Sequence, residues 1–272
     1  MSGRGDGIVN GRGERRRTAW RVHGLSVTGY RHRRDGVPCQ DAWRADDTGP
    51  VTVLAVSDGA GSRSRSAEGS KIAVKLATDR FGRRVSGRRT EATAVHGLLR
   101  AAYREVRDEF LRQTAEAPDD FAATLTVVVL APTWIGHLSV GDGFVLLRAG
   151  VEDGEPQFHL LPTAPEVSEY SNETVFLTSS DAEKWVRTAC VRDSGVDGVL
   201  LSTDGLAQAA LANSHGRPQI PNASFASTMF ASLENAGDDP HADTEALAAF
   251  LRSDRVTAVN ADDKTVLRAV RS

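Results

Sequence analysis

"VTVLAVSDGAGSRSRSAEGSK", residues 51–71, passes from a β-branched apolar run through Asp58-Gly59 into a Ser/Arg-rich loop and then a helical pattern. Such an apolar run reads as a strand buried on both faces. Asp58 therefore leaves the end of a buried strand, with its carboxylate projecting from the rim of a sheet. The glycines and serines that follow suggest a phosphate cradle, but their spacing argues against one. A P-loop needs GxxxxGK[ST], whereas Gly69-Ser70-Lys71 has the wrong order and lacks the final hydroxyl residue. A GxGxxG fingerprint fails at its third glycine, because Ser62, Arg63 and Ser64 follow Gly59 and Gly61.

The same ending recurs twice. "HLSVGDG" (137–143) ends an apolar strand at Asp142, and "VLLSTDG" (199–205) does so at Asp204. In "NADDKTVL" (260–267), Asp262 and Asp263 stand immediately before a strand. Asp-Gly is a common turn dipeptide, and Asp35-Gly36, Asp153-Gly154 and Asp197-Gly198 need only that reading. Several ionised carboxylates on one rim repel one another unless a cation sits between them. Hard divalent ions with oxygen ligands, Mg²⁺ or Mn²⁺, suit such a set. The chain has no HExxH and no CxxC, so a zinc site of nitrogen and sulfur has little support. Two such ions clamp a phosphoryl group for in-line attack, which makes phosphate-ester hydrolysis the leading reaction class.

Composition sets the outer bounds. With 272 residues, 40% hydrophobic and 25% charged, the chain can bury a sizeable core. Its net charge of −3 gives no general reason to expect nucleic acid or a membrane. Residues 1–18, with Arg12, Arg15, Arg16 and Arg17, read as a disordered basic tail, and 19–272 as a single domain. No apolar segment resembles a signal peptide or a membrane span, so a cytoplasmic location is expected. Cys39 and Cys190 are too few for a disulfide framework.

The order of elements indicates the fold class. Strand patterns at 20–30 and 51–59 are followed by helical ones at 65–81 and 91–115, then a meander over 123–150 with a hairpin turn at Asp153-Gly154. A strand at 198–205, helical segments at 206–212, 222–235 and 241–253, and a strand at 264–270 complete the chain. This is not the alternation of a doubly wound sheet; it predicts α+β architecture, antiparallel sheets packed together with helices outside.

Taken in order, "PCQDAW" (38–43), "VSDGAGS" (56–62), "FAATLTVVVL" (121–130), "SVGDGF" (139–144), "LLSTDGL" (200–206) and "DDKTVL" (262–267) resemble the motifs of metal-dependent serine/threonine protein phosphatases of the 2C type. "TGYRHRRDGVPCQDAW" and "EYSNETVFLTSSDAEKW" are similar to a bacterial subgroup often associated with a protein kinase and a von Willebrand factor A-type protein. The resemblance implies a four-layer α-β-β-α sandwich and hydrolysis of phosphoserine or phosphothreonine in proteins by a dimetal-activated water. It implies that Asp58 bridges two Mn²⁺ or Mg²⁺ ions, that the Gly59 carbonyl is also a ligand, and that Asp204 and Asp262 complete the shell. Asp41 acts beside them through water, and Asp142 serves a third, weaker metal site. Asp262 fits better than Asp263 because it stands three residues before Thr265.

Two departures from the family pattern matter. Gln40 stands where many relatives have an acid, and Ala60 where eukaryotic relatives have a histidine that is a candidate general acid for the leaving group. His32 or a water is the candidate substitute acid, and the alternative for His32 is a surface histidine in an Arg-rich loop. The phosphate-anchoring arginine has no counterpart at its usual spacing, where Gly36 stands, so Arg31, Arg33 and Arg34 are all candidates. The competing function is a phosphatase-fold adaptor that binds a kinase or phosphoprotein without turnover. Such a chain should have lost one of Asp58, Asp204 or Asp262, and all three are present.

Overall fold

Alternation along the strands assigns their faces. In β3 (Thr52–Ser57), Val53 and Ala55 face one apolar cluster while Leu54 and Val56 face another, and all four are buried. A strand covered on both faces belongs inside a layered fold. The computed structural model describes residues 20–47, 49, 51–86, 90–162, 174–192, 195–212, 219–237 and 239–271. The tail expected over 1–18 lies outside them.

Two five-stranded antiparallel sheets form the centre. One has the order β2 (Ala42–Asp47), β3, β4 (Leu125–Ala131), β5 (Trp134–Val140), β8 (Arg187–Arg192). The other has the order β1 (Trp20–Val27), β12 (Lys264–Arg271), β9 (Val196–Ser202), β6 (Phe144–Glu152), β7 (Glu155–Leu160). Leu54, Val128 and Ile135 from the first sheet meet Val145, Leu201 and Leu267 from the second in the central apolar layer. The β6–β7 turn is the one read at Asp153-Gly154, with both residues at positive φ (51° and 84°).

Helices cover the outer faces. On α3 (Val95–Gln113), Val95, Leu99, Ala102, Val106 and Phe110 recur at three- and four-residue steps and are all fully buried against α2 (Ser66–Val85) and the first sheet. Over the second sheet lie α6 (Ala223–Glu234) and α7 (Pro240–Leu251), burying Met229, Phe230, Leu247 and Leu251. Their starts are chemically marked: Asn222 accepts from the Phe225 amide, and Asp239 accepts from the His241 amide with Pro240 in the first turn. The expected four-layer α-β-β-α sandwich is therefore the fold found.

Local differences from the sequence reading have tertiary causes. Residues 30–35 form a short helix, α1 (Tyr30–Asp35), rather than a loop, closed by Gly36 at φ 69°. Helix α5 (Ala207–Ala210) stops early because Leu211–Ala212 (β10) pairs with Ile220–Pro221 (β11). Residues 182–185 form a single turn, α4 (Ala182–Trp185), and α8 (Asp254–Thr257) follows α7.

Register brings the acidic strand ends to one edge. Ala42 pairs with Ser57, Leu125 with Val140, and Ser202 with both Phe144 and Val266. Asp41, Asp58, Asp142, Asp204 and Asp262 each lie just beyond those strand ends.

Candidate metal centre

The backbone fixes Asp58 before its side chain does anything. Its amide donates to Thr124 Oγ1 at 2.9 Å, the Thr124 amide donates to the Asp58 carbonyl at 2.8 Å, and Ser57 Oγ donates to the Thr124 carbonyl at 2.6 Å. Gly59 packs so closely that a Cβ there would lie 2.6 Å from the Ser66 carbonyl oxygen. Among the described residues, nothing donates to the Gly59 carbonyl. Asp204 opens a helical turn just beyond β9, and a Cβ on Gly205 would lie 1.8 Å from the Asp263 carbonyl oxygen. Only glycine permits that approach between the β9 and β12 ends.

Two groups of ligand atoms result. Oxygens of Asp58, Asp142 and Asp204 lie within 4.8 Å of one another, and so do ligand atoms of His32, Asp262 and Asp263. Asp142, read as serving a separate third site, thus stands in the same group as Asp58 and Asp204; it is exposed, and its Oδ2 accepts from Thr174 at 2.8 Å. Asp41 is buried and accepts from Thr203 Oγ1 at 2.8 Å.

These carboxylates cannot all be ionised without a counter-charge. Burial, reinforced by the charges of Asp41 and Asp204, pushes the Asp58 carboxyl far above its ordinary range. Burial followed by repulsion from Asp142, Asp262 and Asp41 raises Asp204 to about 7. Asp41 rises to about 6, chiefly through burial, although hydrogen bonds from Thr203 and Thr265 oppose the shift.

The donor set fits divalent Mg²⁺ or Mn²⁺. It is rich in carboxylate oxygen, it includes a free carbonyl at Gly59, and it adds Gln40 Oε1, which is buried without a partner among the described residues. No sulfur belongs to either group. A pH dependence follows from the raised carboxyls. Their folded-state pKa values exceed the unfolded ones, so the stability they contribute is present below about pH 4 and lost as pH rises through 6 to 7. A divalent cation removes that loss. The rise in melting temperature on adding Mn²⁺ to metal-free protein should accordingly be larger at pH 8 than at pH 5.5, and equal rises at both would contradict the electrostatic account.

The neighbouring acid has another task. Asp263 is buried and accepts from the Gly29 amide at 2.7 Å and the Gln40 amide at 2.6 Å, clipping both to the start of β12. Lys264, also buried, donates from Nζ to the carbonyls of Asn260 and Asp262 at 2.8 Å each. His32 is not a surface residue: its side chain is 11% exposed, with Nδ1 2.9 Å from Asp263 Oδ1. Of the three arginines, Arg34 is engaged twice by Asp35, and Arg33 donates to the Thr28 carbonyl. The Arg31 side chain is exposed and makes no hydrogen bond or ion pair among the described residues. Sequence reasoning missed Thr203 and Asp263 as a clip, since each acts on a segment distant in sequence, and Lys264, whose side chain folds back onto its own loop. The Thr directly before Asp204-Gly205 was the one available signal.

Comparison with known proteins gives a consistent picture. A family model described as Protein phosphatase 2C matches residues 28–252. The chain is 29% identical over 261 residues to Serine/threonine-protein phosphatase 3 of Escherichia coli (strain K12), covering 93% of this chain and 98% of that protein. Among solved structures, Serine/threonine phosphatase Stp1 from Staphylococcus aureus matches with a TM-score of 0.60 at 16% identity, covering 94% of this chain and 96% of that one. The catalytic domain of the serine threonine protein phosphatase PstP, in complex with two manganese ions, matches with a TM-score of 0.56 at 19% identity, covering 92% and 97%.

Proposed function

The chain belongs to the protein phosphatase 2C family, and from that membership we propose how its rim of carboxylates performs the family's reaction. The protein is a metal-dependent protein serine/threonine phosphatase that uses Mn²⁺ or Mg²⁺. The observation that carries the reading is the meeting of Asp58, Asp142 and Asp204 oxygens within 4.8 Å, from strand ends far apart in sequence.

Asp58, the Gly59 carbonyl, Asp204 and Asp262 would hold two cations, although Asp262 stands in the neighbouring group, and Asp142, grouped with Asp58 and Asp204, would serve a third. Asp41, and Gln40 Oε1 with no partner among the described residues, would accept hydrogen bonds at the edge of that site. Bound cations of this kind lower the pKa of water into the neutral range and offset the charge of a phosphoryl group. The protein's own residues supply position: Thr124 orients Asp58, Thr203 orients Asp41, and Lys264 fixes the main chain at Asp262.

His32 donates the proton to the leaving alkoxide. Asp263 Oδ1, 2.9 Å from Nδ1 but not aligned for a hydrogen bond with it, holds the ring beside the start of β12. His32→Ala should slow hydrolysis of a phosphothreonine peptide more than that of an aryl phosphate, whose leaving group needs less help. Unchanged rates on both substrates would remove His32 from the mechanism. Arg31 and Arg33 anchor the substrate phosphate; Arg34 is the weakest of the three candidates because Asp35 already neutralises it.

Among the described residues, no helix is long and apolar enough to cross a membrane. We propose a cytoplasmic enzyme opposing a bacterial Ser/Thr kinase, with that kinase and a von Willebrand factor A-type protein as partners. The test of activity is phosphate release from phosphoserine, phosphothreonine and phosphotyrosine peptides by Mn²⁺-loaded protein. Release from the first two is expected; none from any would leave the adaptor reading in its place.

A further inference from the structure

At the side of the sandwich formed by β1, β12, α6 and α7 lies a cavity of about 380 Å³. Its walls include Met229, Leu233, Leu247 and Phe250, and Arg268 also lines it. Arg268 faces the helices because Val266 and Val270, two residues away on either side, pack into the same helical layer. It is 2% exposed.

The hydrogen bonds of this arginine all go to neutral groups. Nη1 donates to the Met229 carbonyl at 2.7 Å and to Ser232 Oγ, and Nη2 donates to His23 Nδ1 at 2.9 Å. Guanidinium cannot accept, so His23 Nδ1 is the acceptor, and its Nε2–H donates to Thr244 Oγ1 at 3.1 Å. His23 is therefore neutral. Arg268 Nε has no partner, and no carboxylate among the described residues lies within ion-pair distance of the guanidinium. The charge of Asp243 acts on Arg268 from beyond ion-pair distance, and a buried cation so weakly compensated is costly.

The lining has a definite sign. Arg21, whose Nη1 donates to the Leu233 carbonyl at 3.2 Å, and Arg268 are positive, Asp243 is negative, and His23 is neutral. The described lining thus carries one net positive charge among apolar walls. Concave, mostly apolar sites with a few convergent polar groups are the usual form of small-molecule pockets.

We propose that this cavity is a binding site for a small amphipathic carboxylate, whose carboxylate pairs with Arg268 and whose aliphatic or aromatic body lies against Met229, Leu247 and Phe250. The site is separate from the acidic rim and does not depend on the phosphatase reading. It can be tested by titrating octanoate into the Mn²⁺-loaded full chain by calorimetry and thermal shift, with octanol and acetate as controls. Octanoate should bind one to one and raise the melting temperature, with octanol and acetate each at least about tenfold weaker. Ala246→Trp, at an exposed helical position lining the cavity, should abolish octanoate binding while leaving phosphate release unchanged. Arg268→Gln should weaken octanoate by about tenfold or more. Equal binding of octanol and octanoate, binding unaffected by Ala246→Trp, or none at millimolar octanoate would each overturn the proposal.

Discussion

Asp58→Asn is expected to reduce phosphate release from a phosphothreonine peptide by at least about a thousandfold while leaving the protein folded. Asn keeps the shape and one oxygen but loses the charge, and the backbone bonds that fix the residue come from the Asp58 amide and carbonyl. The apo fold should lose nothing. Burial and the neighbouring charges of Asp41 and Asp204 already oppose ionisation of Asp58, so a neutral amide relieves repulsion. Metal-free Asp58→Asn should therefore melt at or above the wild-type temperature at pH 8, and its response to Mn²⁺ should shrink. A variant that is inactive and also melts well below metal-free wild type would point to a structural role instead.

Gly205→Ala is expected to have the largest effect on stability. The added Cβ would lie 1.8 Å from the Asp263 carbonyl oxygen, well inside van der Waals contact with backbone that cannot swing away. The ends of β9 and β12 must separate to admit it. Overpacking of this kind costs about 3 kcal/mol, or a fall in melting temperature of roughly 6–12 °C for a chain of this size. Because Asp204 and Asp262 sit on the two ends being separated, affinity for Mn²⁺ should fall as well. Thermal melts with and without Mn²⁺ measure both; a change within about 1 °C and an unaltered metal response would contradict the packing argument.

The acidic rim was legible because of how buried strands end. Asp58, Asp142 and Asp204 each follow an apolar run, and a carboxylate there has nowhere to go but the edge of a sheet. The long helices were legible for a similar reason: the Val95, Leu99, Ala102, Val106 and Phe110 stripe fits a single period. What could not be read depends on contacts across the fold. Nothing local marks His32 as enclosed; it is so because Asp263, over two hundred residues away, lies 2.9 Å from its ring. The burial of Arg268 is equally silent in "KTVLRAV", where an exposed arginine on an alternating strand would be spelled the same way. Residues 177–180 form turns tied to the Arg107 side chain, a contact that no local pattern marks.

Divalent cations held by one acidic edge are the core of the proposed activity, and the most direct measurement is phosphate release from a phosphothreonine peptide by chelator-treated protein before and after Mn²⁺ is returned. No release should occur in chelator, with full activity restored by Mn²⁺ in wild type and not in Asp58→Asn. An undiminished rate in the presence of chelator would contradict the account.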